Sequence, residues 1–448
     1  MNAPATIPLS RIADIVGAPN VITDSQALAA YSVDGLAPQI AARPASAQEV
    51  SELVKFAAAG KLAVIPTGAR TKLGIGMPPS RYDLAIDMTR LDRVTSYDPG
   101  DLTLSVEPGL PLARLAKVLA EHHQFLPLAV PFHESATVGG TLSGGVDSPL
   151  RQFYGTARDF VLGMEFVSGD GALTKSGGRV VKNVSGYDLH KLFLGSIGSL
   201  GVITRINFKT FPLPRTTATF TASFPDAISA REFNSLVQQS ALRCQSVEIF
   251  SPKAADILNA TETDGWSVAV CMAGNDALIA RAHRDLEIIA RNAAPNSLRG
   301  FALLDAAAAN SLSLAISEFP VTATTAGAVV AKLSCLPDSI ASLCEETAAI
   351  AEKHSIASAH IFHGIGVGYC AFLAPGNTAA QYRGCFQELL ALAAAKNVFA
   401  SIPYCPLELK RQLNIWGPPR EDFVLHQSVK RAFDPHNIFA PGRFVGGL

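Results

Sequence analysis

The sequence predicts an α+β protein with at least two lobes, and three observations support this. The chain has 448 residues, which at roughly 100 to 200 residues per domain means two or three domains. Hydrophobic residues make up 48% and charged residues 17%, enough apolar surface to offset chain entropy without long disorder. Strand-like and helix-like runs alternate on both sides of Pro212-Leu213-Pro214, which marks the boundary.

Taken in order, Ser46 and Glu49 fit a capping box, and Val50, Leu53, Val54 and Ala57 follow at helical spacing. Val64-Ile65 reads as a strand entering a loop from Pro66 to Gly76. Leu84, Ile86 and Met88 alternate, as do Leu102, Leu104 and Val106, and Pro108-Gly109 then turns the chain into a helix carrying Leu112, Leu115, Val118 and Leu119. Phe160, Leu162, Met164 and Phe166 make a strand that stops at the turn Gly169-Asp170-Gly171, and Val202, Thr204, Ile206 and Phe208 make the last strand before the boundary. From about residue 215 to 400 the chain is alanine-rich. Helices are expected near Glu232 to Leu242, Ala277 to Ala293 and Ser339 to His354, with strands at Val247 to Phe250, Ser267 to Met272, Ala328 to Cys335 and Ala359 to Phe362.

Composition excludes several function classes. Lys and Arg total 37 against 38 Asp and Glu, a formal charge of -1, which leaves no global electrostatic footprint for nucleic acid or an anionic membrane. The first residues, MNAPATIPLSRIADIVG, lack a basic region followed by an apolar core, and no later stretch reaches the roughly 20 apolar residues of a membrane helix. Neither secretion nor a membrane span is expected. The seven cysteines, Cys244, Cys271, Cys335, Cys344, Cys370, Cys385 and Cys405, contain no CxxC pair. That fits a reducing cytoplasm and provides no iron-sulfur ligand run, so redox chemistry here needs another cofactor.

Three glycine-bearing segments carry most of the functional signal. They are Pro66 to Gly74 (PTGARTKLG), Ala136 to Gly145 (ATVGGTLSGG) followed by Tyr154 to Asp159 (YGTARD), and Gly186 to Leu189 leading into Gly195 to Ile203 (GSIGSLGVI). Glycine permits positive φ and close approach to a ligand, so successive amides can converge on diphosphate oxygens without net positive charge. Thr67, Thr71, Thr137, Thr141 and Ser143 add hydroxyl donors. One such segment alone is as well explained by an ordinary turn; three beside strands in one domain point to a site. The nucleotide signatures fail, because Gly74-Ile75-Gly76 runs into Met77-Pro78-Pro79 and no GxxxxGK[ST] occurs.

Together with RPAS and Glu49-Val50 near Arg43, and VKNVSGYDL at Val181 to Leu189, these segments resemble the FAD-binding domain of the vanillyl-alcohol oxidase type, also called PCMH-type. The ending FDPHNIFAPGRFVGGL, Phe433 to Leu448, resembles that superfamily's 2-hydroxy-acid dehydrogenases, and the whole is similar to the FAD-binding E subunits of bacterial glycolate oxidase. The resemblance implies a PCMH-type FAD domain at 35–214 after an N-terminal segment 1–34, an α+β substrate or cap domain at 215–419, and a C-terminal helix and tail at 420–448 that packs back on the FAD domain. It implies that Pro66, Thr67, Gly68, Ala69, Arg70, Thr71 and Lys72, with Thr137, Val138, Gly139, Gly140, Thr141, Ser143 and Gly144, grip the pyrophosphate of FAD. Tyr154 and Gly155 would lie near the flavin ring, and Gly201, Val202 and Ile203 would meet the nucleotide half. Members with covalent flavin carry a histidine in the first loop; this loop has none, which implies dissociable, non-covalent FAD.

Oxidising a 2-hydroxy acid needs a cation for the carboxylate, a base for the hydroxyl proton and a flavin to accept hydride. Many relatives arrange this around a divalent metal within GDGNLH and EHG motifs, whereas this chain reads HIFHGIGVGYC at His360 to Cys370 and Tyr404-Cys405-Pro406 later. His360 and His363 could share an ion on a helix, but on a strand residues three apart point to opposite faces. The expected arrangement is therefore one buried histidine and one facing the cleft. Lys332 matches a lysine that relatives place near the substrate carboxylate, against a plain alternative of solvent exposure at a strand end. Arg443 either approaches the flavin pocket or is a surface arginine. The candidate catalytic residues are thus Lys332, His363 and Arg443. His133 and Glu134 read as a solvated turn beside the second glycine segment, and Trp416 as a packing anchor for the tail.

Three readings follow. In the first, the chain is a cytoplasmic flavoprotein subunit that oxidises glycolate or a similar D-2-hydroxy acid and passes electrons to an iron-sulfur subunit and a second flavoprotein subunit, at the inner face of the membrane. In the second, it is a non-catalytic flavin-binding scaffold of such a complex. In the third, it is an oxidase acting alone.

Overall fold

The protein is described by a computed structural model covering residues 7–179, 186–260, 265–374 and 379–448. Residues 181–185 of the VKNVSGYDL motif lie outside these.

Among the described residues the first domain holds a four-stranded sheet, a five-stranded sheet and a two-stranded ribbon of Gln124–Phe125 with Phe211–Pro212. In the four-stranded one, Leu84–Asp87 runs parallel to both Ile40–Ala42 and Val64–Thr67, with Val21–Ile22 at the edge. All four residues of Leu84–Asp87 are buried. The alternation at Leu84 and Ile86 thus belongs to an internal parallel strand covered on both faces, not to a half-exposed one. Met88, expected in that strand, opens the short 3₁₀ turn Met88–Arg90 instead. Helix Ala47–Gly60 starts at the expected Ser46 cap, the Glu49 amide donating to Ser46 Oγ at 3.1 Å, but the reciprocal bond of a capping box is shifted by one residue: the Glu49 carboxylate accepts from the Ala45 amide at 2.8 Å, not from the Ser46 amide. Its Val50, Leu53, Val54 and Ala57 are fully buried. The second sheet is antiparallel, in the order Val94–Asp98, Thr103–Val106, Val202–Lys209, Val161–Val167, Leu173–Gly177.

The second domain is an eight-stranded antiparallel sheet in the order Gly300–Leu303, Thr216–Phe224, Trp266–Gly274, Cys244–Phe250, Ala357–His363, Val367–Leu373, Val329–Ser334, Phe399–Tyr404. Helices Ala227–Gln239, Asp276–Ala293, Ile340–Lys353 and Ala379–Ala395 pack on one face through Phe233, Leu286, Leu343 and Phe386. Pro252–Leu258 and Ala306–Thr325 cover part of the other through Ala254, Leu312 and Phe319. The first of these helices begins five residues before the expected Glu232, because Asp226 caps it by accepting from the Ser229 amide at 2.7 Å. Ala306–Thr325 escapes sequence reading because Pro320 sits inside it. Thr324 Oγ1 donates to the Pro320 carbonyl at 2.7 Å within that helix.

The tail forms helix Phe423–Phe433 and then enters the first domain. Ile438, Phe439 and Ala440 are fully buried, and the tail runs parallel to Val64, whose amide donates to Ile438 O at 2.7 Å while Ala440 N donates to Val64 O at 2.8 Å.

Candidate cofactor and substrate site

Strand Val64–Thr67 delivers the first glycine-bearing loop to a cleft that residues of the second and third glycine-bearing segments also line. The structure brings Pro66 to Lys72, Thr137, Gly139, Gly140, Ser143, Gly144, Gly201, Val202 and Ile203 together around it. Val138 and Thr141 stand behind this lining, Val138 in the apolar core and Thr141 buried with its hydroxyl unpartnered. Tyr154 and Gly155 are not part of the wall: Tyr154 Oη accepts from Gln245 Nε2 of the second domain at 2.8 Å, and its ring meets Phe125 and Phe211 edge-on. Sequence reasoning missed Met88, Pro108, Ile197 and Gly198 in the wall, although the last two lie inside the GSIGSLGVI segment that signalled it.

The second glycine segment is not a loop. Val138–Gly144 is a short helix capped by Thr137, whose Oγ1 accepts from Gly140 N at 3.3 Å. The Val138 amide donates to Leu110 O at 2.9 Å and the Gly139 amide to Pro108 O at 2.8 Å. These amides are therefore committed to the fold. The first loop is different, since no hydrogen bond among the described residues uses the amides of Gly68, Ala69, Arg70, Thr71 or Lys72. Arg70 sits at φ 64°, a positive φ that turns successive amides toward a common point, and such a nest favours an anion. Thr67 Oγ1 is buried without a partner in the same wall. A run of unspent amides and an orphaned hydroxyl on one cleft fit a diphosphate, so the residues present suit FAD.

Two buried cations hold the far end of that loop. Arg443 Nη2 donates to the carbonyls of Leu73 and Ile75, while Lys410 Nζ donates to Gly74 O at 2.6 Å and to both Asp34 carboxylate oxygens at 2.9 Å. Arg443 is only 2% exposed, which excludes the surface reading, and burial pushes its pKa down to about 10. Trp416 Nε1 donates to Arg443 O at 3.0 Å and its ring meets Phe444, so the anchor expected at Trp416 fastens this same tail.

On the second domain, Lys332 is neither exposed nor free. Its ammonium pairs with Asp147 and lies 3.4 Å from Gly145 O, with the side chain 24% exposed. Burial opposes the charge on Asp147, but Lys332 and Arg151 outweigh it and hold the carboxyl below its ordinary range. His360 and His363 lie on opposite faces of strand Ala357–His363, as the period of a strand requires. His360 Nε2 is 3.0 Å from Thr347 Oγ1 on helix Ile340–Lys353, and burial pushes its pKa down to about 4. His363 Nδ1 is 2.7 Å from Glu248 Oε2; both side chains are buried, and His363 Nε2 has no partner. Both histidines are therefore buried, against the expectation that one faces open cleft. Burial raises the Glu248 carboxyl against the opposing pull of His363. Sequence reading missed Glu248, because one acidic residue in an apolar strand has no local signature. His133 is half-buried and Glu134 exposed, and neither lines the cleft. The amides of Phe132 and His133 instead donate to the Glu318 carboxylate at 3.0 and 3.1 Å, tying this turn to the second domain.

Residues 38–177 match the FAD binding domain, and residues 213–394 with 418–444 match the C-terminal domain of FAD linked oxidases. The chain is 37% identical over 169 residues to the glycolate oxidase subunit GlcE of Escherichia coli, covering 38% of this chain and 48% of that protein. It is 29% identical over 224 residues to a D-2-hydroxyglutarate dehydrogenase of Xanthomonas citri pv. viticola, covering 49% of this chain and 46% of that one. The matched region thus spans about half the length of each of these relatives. The fold is similar to that of p-cresol methylhydroxylase, with a TM-score of 0.78 at 18% identity over 97% of this chain and 95% of the other. The chain therefore belongs to the FAD linked oxidases, in which an FAD binding domain is joined to a second, oxidase-type C-terminal domain.

Proposed function

We propose that this chain is a flavoprotein oxidoreductase subunit that binds FAD non-covalently, oxidises glycolate or a similar D-2-hydroxy acid, and passes electrons to a partner subunit. The observation that carries this reading is the cleft itself. Unspent amides from Gly68 to Lys72 face it, and the segment after its second wall touches the charged face of the second-domain sheet through Asp147 and Lys332. FAD, when bound, supplies a two-electron acceptor.

The chain's own groups divide the remaining work. The first loop holds the diphosphate, and with no histidine from Pro66 to Gly76 the cofactor is removable by acid or denaturant. Glu248 fixes the buried His363 ring through Nδ1 and leaves Nε2 unpartnered; His363 serves as base for the substrate hydroxyl only in a conformer that opens this buried face to the cleft. Lys332 holds Asp147, and with it the segment that joins the cofactor cleft to the sheet. The likeness to a glycolate oxidase subunit supports a partner subunit as electron acceptor; in the finer reading this is an iron-sulfur subunit with a second flavoprotein subunit, in a cytoplasmic complex at the inner face of the membrane.

A second reading, a flavin-binding scaffold whose sister chain performs the oxidation, has its own support. Lys332 and His363 are each already paired with a carboxylate, and among the described residues no three His, Cys, Asp or Glu side chains form a metal-ligand set. Anaerobic mixing of the FAD-loaded chain with a panel of D-2-hydroxy acids decides between them. Bleaching of the flavin band by the isolated chain is the expected result; full flavin content without bleaching establishes the scaffold.

A further inference from the structure

The first loop separates two clefts. On its far side, Thr71, Lys72 and Ile75 form one wall of a second cleft of about 860 Å³, and the second domain forms the other through Val329, Tyr382 and Tyr404.

Lys72 lines both clefts. Its Nζ lies 3.3 Å from Pro131 O and 5.3 Å from the Phe132 ring centre, and among the described residues no carboxylate comes within ion-pair distance of it. The neighbouring cations are already engaged: Arg70 with Asp87, Arg443 with the carbonyls of Leu73 and Ile75, and Lys332 with Asp147. Across the cleft, Tyr404 Oη is buried without a hydrogen-bond partner. A buried hydroxyl left unpaired is unfavourable, and a ligand that accepts a hydrogen bond from it relieves that. Glu318 is near enough to act on both Lys72 and Tyr404, but its carboxylate accepts the Phe132 and His133 amides, which offset its charge.

We propose that the second cleft binds the carboxylate of the small acid substrate, with Lys72 Nζ as the cation and Tyr404 Oη as a hydrogen-bond donor. The inference rests on the reading of the chain as a 2-hydroxy-acid oxidoreductase subunit. It moves carboxylate recognition from Lys332, whose charge Asp147 already compensates, to the first loop, where Lys72 lines both the cofactor cleft and the cleft against the second domain.

The test needs no turnover. The full FAD-loaded chain is titrated anaerobically with oxalate, an unreactive small carboxylate, and the shift of the flavin band is followed. Wild type should give a saturable shift. Tyr404→Phe should retain FAD and bind oxalate roughly tenfold more weakly, and Lys72→Met roughly ten- to a hundredfold more weakly, the range of one neutral and one charge-assisted hydrogen bond. Unchanged oxalate affinity in Tyr404→Phe, combined with either unchanged affinity or loss of FAD in Lys72→Met, overturns the proposal. So does abolition of the shift by Lys332→Met with both other variants unaffected. A chain that binds oxalate in the expected way yet is bleached by no hydroxy acid upholds this site and removes the oxidation reading instead.

Discussion

Gly139 and Gly140 are adjacent and do different jobs. A Cβ at 139 would lie 2.6 Å from Pro108 Cβ and 3.1 Å from Pro108 O, so this glycine lets the short helix lie against the preceding turn. At 140 the nearest atom is Thr137 Oγ1 at 3.1 Å, and the residue faces the cofactor cleft. Gly139→Ala should therefore lower the melting temperature of the FAD-free chain, by the roughly 1 to 3 kcal/mol that overpacking costs. Gly140→Asp should leave that melt unchanged but lose most of the flavin, because it brings a carboxylate to the diphosphate; apo melts and flavin-to-protein ratios separate the two. Lys72 adds a pH signature. Burial pushes its pKa down to about 8, with Glu318 pulling the other way. The ammonium form dominates below that value and is lost above it, so oxalate affinity should be flat below pH 7 and fall up to tenfold per unit above about 8. Tyr382, Tyr404 and Cys405, which share the cleft, are all raised by burial and stay protonated through this window. Affinity that stays flat to pH 9.5 would remove Lys72 from the site.

At the level of elements, two polar contacts join pieces that apolar packing alone would leave loosely oriented. His360 links strand Ala357–His363 to helix Ile340–Lys353 through Thr347. Its pKa of about 4 in the fold lies below the ordinary value of 6.5. The unfolded chain therefore takes up the proton first as pH falls, and stability is lost between pH 6.5 and 4, by up to about 3 kcal/mol. Urea melts across that window should show the loss, and His360→Gln should flatten it. Lys410 fastens the first loop to the second domain through Gly74 O and Asp34. Lys410→Met leaves Asp34, with 9% of its side chain exposed, without its cation. About 3 to 5 kcal/mol is the usual cost of breaking a buried pair in this way. Adding Asp34→Asn should recover much of the melting temperature, and no recovery would mean that the Gly74 contact, not the ion pair, carries the effect.

The whole molecule is closed by its tail. Ile438 and Phe439 complete the core around Val64 and Ile86, Ala440 joins the cluster of Ile65 and Ala85, and Lys430, buried between Asp434, Ser199 O and Phe439 O, holds the returning helix. Residues 1–214 expressed alone should thus be insoluble or melt without cooperativity, since an apolar face and the edge at Val64 are left uncovered. Joining 420–448 to them through a flexible linker should restore a cooperative transition. A well-behaved 1–214 fragment would show that the tail is dispensable to the first domain.

Local signals carried much of this protein in its sequence. The helix cap at Ser46, the helix after it, the strand pattern before Pro212 and the glycine segments all depend on contacts within a few residues, where side-chain period and glycine content report directly on backbone shape. Those signals sufficed for an α+β chain with a glycine-lined anion cleft beside Pro66 to Lys72, and the family resemblance supplied FAD. Contacts between distant residues decided the rest. Whether an amide is free depends on what lies opposite, so the Gly139 amide was spent on Pro108 while the Gly68 to Lys72 amides stayed open. Whether a charge is available depends on its partner: Asp147, 185 positions from Lys332 in the chain, pairs with that lysine, while among the described residues no carboxylate lies within ion-pair distance of Lys72. Pairings of this kind are set by the docking of the two domains and the return of the tail, and periodicity within a segment carries no information about them.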